Sequence, residues 1–289
     1  MTKSSRPAGG REVEPVPIPM LSASPATSHH AELQRPVLPE TLVEPRSVPR
    51  GVVAFDLDGT LLDSIGLISR VAGDVLFQAF GTPPEEARIH YLATTGMPFE
   101  AQLAQLYPTV PAPERASVAR LFHARKVTEA YAHAHLFPEV PKMVKRLADH
   151  EWTLVVSTGA EREMADLLLE RVGLRYWFED VLGSAQGTKR EHLHEYQRRY
   201  PAAPMVLVGD SRFDMEAASS VNGVVAVGRA SALPGWTLTP DDLRRWGAAW
   251  ADYSLAGLPD ELVRLLPPHD AAPAPRNPSK PRPRAKRTG

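Results

Sequence analysis

The chain has 289 residues, 43% of them hydrophobic, with 33 Lys+Arg against 34 Asp+Glu and a formal charge of −1. At about 150 residues per domain this is one large domain or two, with apolar content for a sizeable core. The balanced charge argues against a strongly basic nucleic-acid binder. Cysteine is absent, which excludes disulfides, Cys-ligated zinc, iron–sulfur clusters and thiol nucleophiles together. No apolar run reaches the roughly 18 residues of a membrane span. The start, MTKSSRPAGG, has no apolar stretch behind its Lys and Arg, unlike a signal peptide. The expectation is a cytoplasmic protein with neither nucleic acid nor membrane as partner.

In chain order, residues 1–49 are expected to form a disordered tail. Nine of the 29 prolines fall in residues 1–50, and no helical or strand period is sustained there. His29 and His30 lie in this tail and are read as neither ligands nor catalysts. The folded body opens with Gly51-Val-Val-Ala-Phe-Asp56, a short, β-branched apolar run of the kind that forms a buried strand. The loop Asp56-Leu57-Asp58-Gly59-Thr60 follows. Residues 65–145 carry no convincing strand. Ile68, Val71, Val75, Leu76 and Phe80 recur at helical spacing, and Phe99–Leu106 and Val118–Phe137 also read as helices. Thr94-Thr95-Gly96-Met97-Pro98 interrupts the helical pattern, and Pro141 opens a helix over 141–149.

A second strand, Trp152–Val156, runs into Ser157-Thr158-Gly159. A third, Met205–Val208, runs into Gly209-Asp210, and a fourth is Val224–Val227. Helices are expected over about 161–172, 188–199 and 213–220. Alternating strands and helices imply an α/β fold: a Rossmann-like parallel sheet with both faces covered. Its core spans 50–64 and 146–265, and the helical insertion spans 65–145. In such sheets chemistry collects at the carboxyl ends of the strands, where the polar clusters fall. His192 and His194 are read as positions on a surface helix. Residues 229–250, with Trp236, Trp246 and Trp250, are longer than a minimal connection and receive no chemical role. Residues 266–289 are expected to form a disordered, basic, proline-rich tail, read as a solubilising extension.

Asp56 and Asp58 stand two apart at a strand end and reach one small volume. Gly59 permits a tight turn, and Thr60 offers a hydroxyl there. Carboxylates so close repel unless a cation compensates, and Mg²⁺ prefers a few carboxylates plus phosphate and water. Asp210 and Asp214 add oxygens at the third strand's end, Asp214 one helical turn on. An ionised Asp56 in this setting attacks phosphorus to form an aspartyl-phosphate. Asp58 protonates the leaving oxygen and then takes a proton from the hydrolytic water. Ser157 offers a hydroxyl to the phosphoryl group, and the N–H groups of Thr158 and Gly159 open toward a helix N-terminus suited to an anion. Lys189 supplies a point charge for phosphate, with Arg190 as the alternative for that role.

These residues resemble the haloacid dehalogenase-like hydrolase superfamily, in its phosphatase branch, over about residues 51–264. The resemblance implies Asp56 as nucleophile, Asp58 as acid/base, Ser157 and Lys189 as the second and third motifs, and Gly209-Asp210-Ser211-Arg212-Phe213-Asp214 as the fourth. It implies Mg²⁺ held by Asp56, the Asp58 backbone carbonyl and Asp210, with Asp214 as ligand or support. The second Asp of the first motif favours phosphoryl transfer over attack on carbon. Residues 65–145 look like the small α-helical cap of phosphoglycolate phosphatases and β-phosphoglucomutases, which closes over substrate. Thr95, Gly96 and Met97 resemble the cap loop that touches substrate, and Leu136–Val140 the hinge back to the core. The stretch 81–98 departs from several relatives in lacking an Arg at the place that faces a substrate carboxylate; Arg88 and His90 are near it. The expected function is a Mg²⁺-dependent phosphatase acting on a small phosphorylated metabolite. A sugar-phosphate mutase and a non-catalytic binding protein on the same fold are the alternatives. The sequence specifies neither the ester nor the oligomeric state.

Overall fold

The computed structural model describes residues 50–201 and 203–266; the tails expected at 1–49 and 266–289 lie outside the described residues save for Leu266. Strand β1 (Gly51–Phe55) is buried along its whole length, as its uninterrupted apolar sequence requires. Two-residue β2 (Leu62–Asp63) leads into helix α1 (Ile65–Phe80), followed by α2 (Pro84–Ala93), α3 (Phe99–Leu106) and α4 (Ala112–Arg125). A π-helical turn (Lys126–Ala130) and a 3₁₀ turn (Tyr131–His133) end this run, and β3 (His135–Leu136) returns the chain. Helix α5 (Val140–Asp149), β4 (Trp152–Ser157), α6 (Arg162–Arg171), β5 (Asp180–Leu182) and α7 (Lys189–Arg199) follow. Then come β6 (Met205–Gly209), α8 (Arg212–Ser219), β7 (Val224–Arg229), β8 (Ser231–Leu233), β9 (Trp236–Leu238), α9 (Pro240–Arg245), β10 (Trp250–Asp252) and α10 (Leu258–Leu265).

Six strands form one sheet in the order β10-β7-β6-β1-β4-β5. Every neighbouring pair is parallel. The winding direction reverses at β1 and β6, so the crevice at their carboxyl ends is where such a sheet takes its ligand. Along β1, Val53 and Phe55 pack into one core with Leu168 and Leu169 of α6 and Leu258 and Leu262 of α10. Val52 and Ala54 pack into the other with Leu193 and Tyr196 of α7 and Met215 and Ala218 of α8. Each large apolar side chain buried this way stabilises the fold by about 1.5–3 kcal/mol.

Helices α1–α4 lie between β1 and β4 in the chain, and Phe99 of α3 stacks on Phe122 of α4 at 3.9 Å between ring centroids, with Tyr91 beside both. The two connections to the sheet domain pair with each other: Leu62 lies opposite Leu136, and Asp63 opposite His135, in an antiparallel ladder.

The sheet has six strands where the sequence pattern indicated four. β5 and β10 have three residues each, too short for a periodic signal. The helix expected over Val118–Phe137 ends at Arg125. The wider turn that follows buries Ala130 and Tyr131 together. Within 229–250, β8 and β9 form a hairpin that reaches the insertion. Arg88 of α2 bonds Glu85 at 2.9 Å through Nε and also donates to the carbonyl of Pro234 at the hairpin tip. None of the helices in the described residues is long and apolar enough to cross a membrane.

Candidate active site

The carboxyl ends of β1, β4 and β6 carry the polar residues singled out in the sequence. Asp56 follows β1, with its N–H held by the Val208 carbonyl at 2.8 Å. The chain then turns tightly: the Leu61 and Leu62 N–H groups both return to the Leu57 carbonyl, at 3.0 and 2.9 Å. Gly59 sits in this turn at φ +78°, where a Cβ would lie 2.0 Å from Asp210 Oδ2. Glycine is required there on both counts, and the close approach brings the carboxyl ends of β1 and β6 onto one site.

Local capping sets the other groups. Ser211 caps α8: its hydroxyl accepts from the Asp214 N–H at 3.3 Å, while Asp214 Oδ2 accepts from the Ser211 N–H at 3.1 Å and hydroxyl at 2.5 Å. Thr188 and Glu191 form the same reciprocal arrangement at the start of α7, which fixes Lys189 at its first position. Lys189 Nζ lies 2.9 Å from Asp56 Oδ1 and also pairs with Asp214 Oδ1. Of the two basic residues the sequence left open for this place, Lys189 is the one that meets Asp56 and Asp214.

Asp56, Asp210 and Asp214 are all buried, and each turns a ligand oxygen into a space where all such atoms lie within 4.8 Å of one another. This set fits a hard divalent cation, which binds through a few carboxylates plus substrate oxygen and water. Burial, opposed by Lys189 and reinforced by the Asp214 and Asp58 charges, pushes the Asp56 carboxyl up to about 7. Burial, together with Asp56 and Asp214, also holds Asp210 well above the usual carboxylate range. A cluster that resists ionisation on its own is one that a cation stabilises. Asp214 already bonds Lys189 and Ser211 through both oxygens, so its first contribution is to orient them. Burial works to lower the Lys189 ammonium, but Asp214 and Asp56 outweigh it and hold it above the ordinary lysine range.

Asp58 belongs to the same loop but has different partners. Its Oδ1 accepts from Ser64 Oγ at 2.6 Å and its Oδ2 from the Tyr131 hydroxyl at 2.7 Å. Ser64 precedes α1, and Tyr131 ends the insertion, so both of its connections hold the Asp58 carboxylate. Arg171 of α6 anchors that second connection by donating to the Tyr131 carbonyl and, at 2.8 Å, to the Ala134 carbonyl. Tyr91 of α2 is buried, and Asp58, Asp210 and Asp56 add to burial in raising its phenol, which places it within electrostatic reach of the cluster.

The remaining predicted residues divide. Ser157 is fully buried, with Oγ 3.0 Å from His192 Nδ1. Nothing lies within 4 Å of where a Cβ would stand at Gly159. Thr60 is fully buried with its hydroxyl unpartnered among the described residues. The Thr158 N–H, expected to face an anion, instead donates to the Leu182 carbonyl at 3.0 Å. The ladder between β4 and β5 takes it, and three-residue β5 had left no periodic signal in the sequence. The Thr158 hydroxyl accepts from the Ala160 N–H at 3.2 Å. Gly96 has φ +96°, and a Cβ there would lie 2.5 Å from Ser211 Oγ. Thr95 lines a cavity of about 260 Å³ with Asp210, Phe213 and Trp236. The Met97 carbonyl accepts from Gln102 Nε2 at 2.9 Å, which braces the loop from inside the insertion.

Ser64, Tyr91, Tyr131 and His192 were not anticipated as site residues. His192, read from sequence as a surface position, is 1% exposed, whereas His194 is exposed as expected. Its spacing of three from Lys189 was the available signal; nothing local marked Tyr131.

A parallel sheet with a reversal point, a buried carboxylate triad around a lysine, and helices between the first strand and the rest of the sheet together make up this architecture. Residues 53–227 match the family described as haloacid dehalogenase-like hydrolase. The chain belongs to that family, in its phosphatase branch. It is similar to phosphoglycolate phosphatase of Vibrio parahaemolyticus, 28% identical over 183 residues, covering 58% of this chain and 79% of that one. It is also similar to phosphoglycolate phosphatase of Synechococcus elongatus, 29% identical over 212 residues, covering 66% and 94%. A solved haloacid dehalogenase-like hydrolase from Bacteroides fragilis shares the fold with a TM-score of 0.62 and 21% identity, over 72% of this chain and 99% of that one.

Proposed function

We propose that the protein is a Mg²⁺-dependent phosphatase that hydrolyses a small phosphomonoester through an aspartyl-phosphate on Asp56. The observation that carries this reading is the convergence of Asp56, Asp210 and Asp214 oxygens within 4.8 Å, beside an Asp58 held by two hydroxyl donors. Bound Mg²⁺ would be held by Asp56, Asp210 and the Asp58 carbonyl, with Asp214 in support, and would screen the repulsion between nucleophile and phosphoryl group.

In this reading Asp56 Oδ attacks phosphorus while Asp58 donates a proton to the leaving oxygen. Asp58 then takes a proton from the water that cleaves the acyl phosphate. Ser64 and Tyr131 hold the Asp58 carboxylate in place for both transfers. Lys189 and the Ser157 hydroxyl hold the phosphoryl oxygens, with the Gly59–Thr60 turn and the Thr158 hydroxyl alongside. Residues 65–145 act as the cap that excludes bulk water, and Thr95, Gly96 and Met97 form its loop beside Asp210. Uncatalysed monoester hydrolysis is slow enough for enzymes to supply up to ~10²¹-fold acceleration, and preorganised charge is the means.

The two relatives named above are phosphoglycolate phosphatases, which supports a small organic phosphate as substrate. Arg88 is engaged by Glu85 and the Pro234 carbonyl, so α2 offers the Tyr91 phenol rather than this guanidinium. We therefore place the preference on a leaving group without a carboxylate. A screen of phosphate esters with Mg²⁺, repeated with chelator and with Asp56→Asn, tests the reading. Phosphate release is expected to vanish in both controls; sustained turnover by Asp56→Asn overturns the assignment.

A further inference from the structure

His192 stands one turn after Lys189 on α7, with its imidazole enclosed. Its Nε2 lies 3.1 Å from the Gly183 carbonyl oxygen and its Nδ1 lies 3.0 Å from Ser157 Oγ. A carbonyl oxygen only accepts, so Nε2 carries the proton of the neutral ring and Nδ1 presents a lone pair. The Ser157 O–H then donates to Nδ1. A hydroxyl has a single proton, so in this state Ser157 has only lone pairs to offer a substrate. A phosphoryl oxygen is also an acceptor, and the two repel.

One arrangement resolves the conflict and leaves every buried group paired. A proton taken from solvent onto Nδ1 makes the ring a donor at both nitrogens, to Gly183 and to Ser157 Oγ. The Ser157 proton is then free for the phosphoryl oxygen. We propose that His192 is a positioning residue that switches Ser157: occupation of the site by a phosphoryl group is accompanied by protonation of His192, and Ser157 turns from donor to the ring into donor to the anion. This inference rests on the phosphatase reading above.

The surroundings are consistent with a ring that is neutral until an anion arrives. Burial lowers the His192 pKa below the usual histidine value. The Gly183 carbonyl, Glu191 and Asp180 pull it upward, and Lys189 pushes it down. Asp180 of β5 acts on the ring only through its charge and is itself tied to Arg162 at 3.0 Å and Arg199 at 2.5 Å. An incoming phosphoryl charge adds to the upward pull and supplies the acceptor that Ser157 needs.

Magnetic resonance of the full chain with isotope-labelled histidine tests this directly in the presence of Mg²⁺. His192→Asn identifies the His192 signal by its disappearance. Saturating inorganic phosphate is expected to move that signal from the neutral to the cationic form at neutral pH, with its midpoint rising by at least about one pH unit, a tenfold gain in proton affinity. In Ser157→Ala the rise is expected to shrink, because the hydroxyl no longer needs a donor. A His192 that stays neutral while phosphate shifts other signals overturns the proposal and spares the phosphatase reading. An equal rise in Ser157→Ala also overturns it, since the field of the anion alone would then suffice. Phosphate that perturbs no signal at all removes both.

Discussion

The Tyr131 hydroxyl donates to Asp58 Oδ2 at 2.7 Å, across 73 residues of sequence. The contact joins the last turn of the helical insertion to the loop that carries Asp56. Loss of one hydrogen bond to a charged group costs about 1.5–3 kcal/mol. Tyr131→Phe is therefore expected to lower kcat on an aryl phosphate by about 10- to 100-fold and the melting temperature by several degrees. Steady-state kinetics beside thermal melts make the comparison. A variant with unchanged kcat would show that Asp58 does not depend on this donor.

Lys189 lies between Asp56 and Asp214. Removing one partner of a buried ion pair leaves uncompensated charge and costs about 3–5 kcal/mol. Lys189→Met is expected to lose stability on that scale in denaturant titrations, with part recovered on adding Mg²⁺. A loss below about 1 kcal/mol would mean that the ammonium is not what holds the carboxylates together.

Gly59 has no room for a side chain, because Asp210 Oδ2 occupies the place of its Cβ. Alanine at φ +78° also carries backbone strain of about 1–3 kcal/mol. Gly59→Ala is expected to displace the Asp210 carboxylate and weaken Mg²⁺ binding by at least about tenfold, measured by calorimetry. Undiminished Mg²⁺ affinity would place the cation elsewhere.

The pH dependence of stability follows from Asp56, whose carboxyl is raised from 3.8 to about 7, chiefly by burial. The folded protein keeps a proton that the unfolded chain has released, so this contribution is complete below about pH 4 and lost as the pH rises through about 7. Asp210 acts in the same direction. For the metal-free protein this cluster lowers the melting temperature between about pH 5 and pH 8. Mg²⁺ is expected to raise the melting temperature strongly at about pH 8 and little at about pH 5. Melts with Mg²⁺ or chelator decide it, and a Mg²⁺ shift of equal size at both pH values contradicts it.

Much of this was legible in the chain. The run Gly51–Phe55 has no polar residue to place on a solvent face, so it forms a strand buried on both sides, and Asp56 follows at its carboxyl end. The same logic placed Ser157 and Asp210, since each closes an apolar run. Asp214 was legible as lying one helical turn after Asp210, and the structure adds that reciprocal caps at Thr188–Glu191 and Ser211–Asp214 fix the helix starts that carry Lys189 and Asp214. Such relations depend on backbone period and neighbouring side chains, and a sequence displays both.

Tertiary packing alone decided the rest. Tyr131 reaches Asp58 because a helix widens and stops at Arg125, and His192 reaches Ser157 because α7 packs beside β4 across 35 residues of sequence. The Thr158 N–H went to a strand too short to announce itself, and Arg88 went to a hairpin 146 residues away. Each of these contacts fills the hydrogen-bonding needs of a buried group with a partner distant in the chain. Local patterning shows that such a need exists, and only the packed chain brings in the atom that meets it.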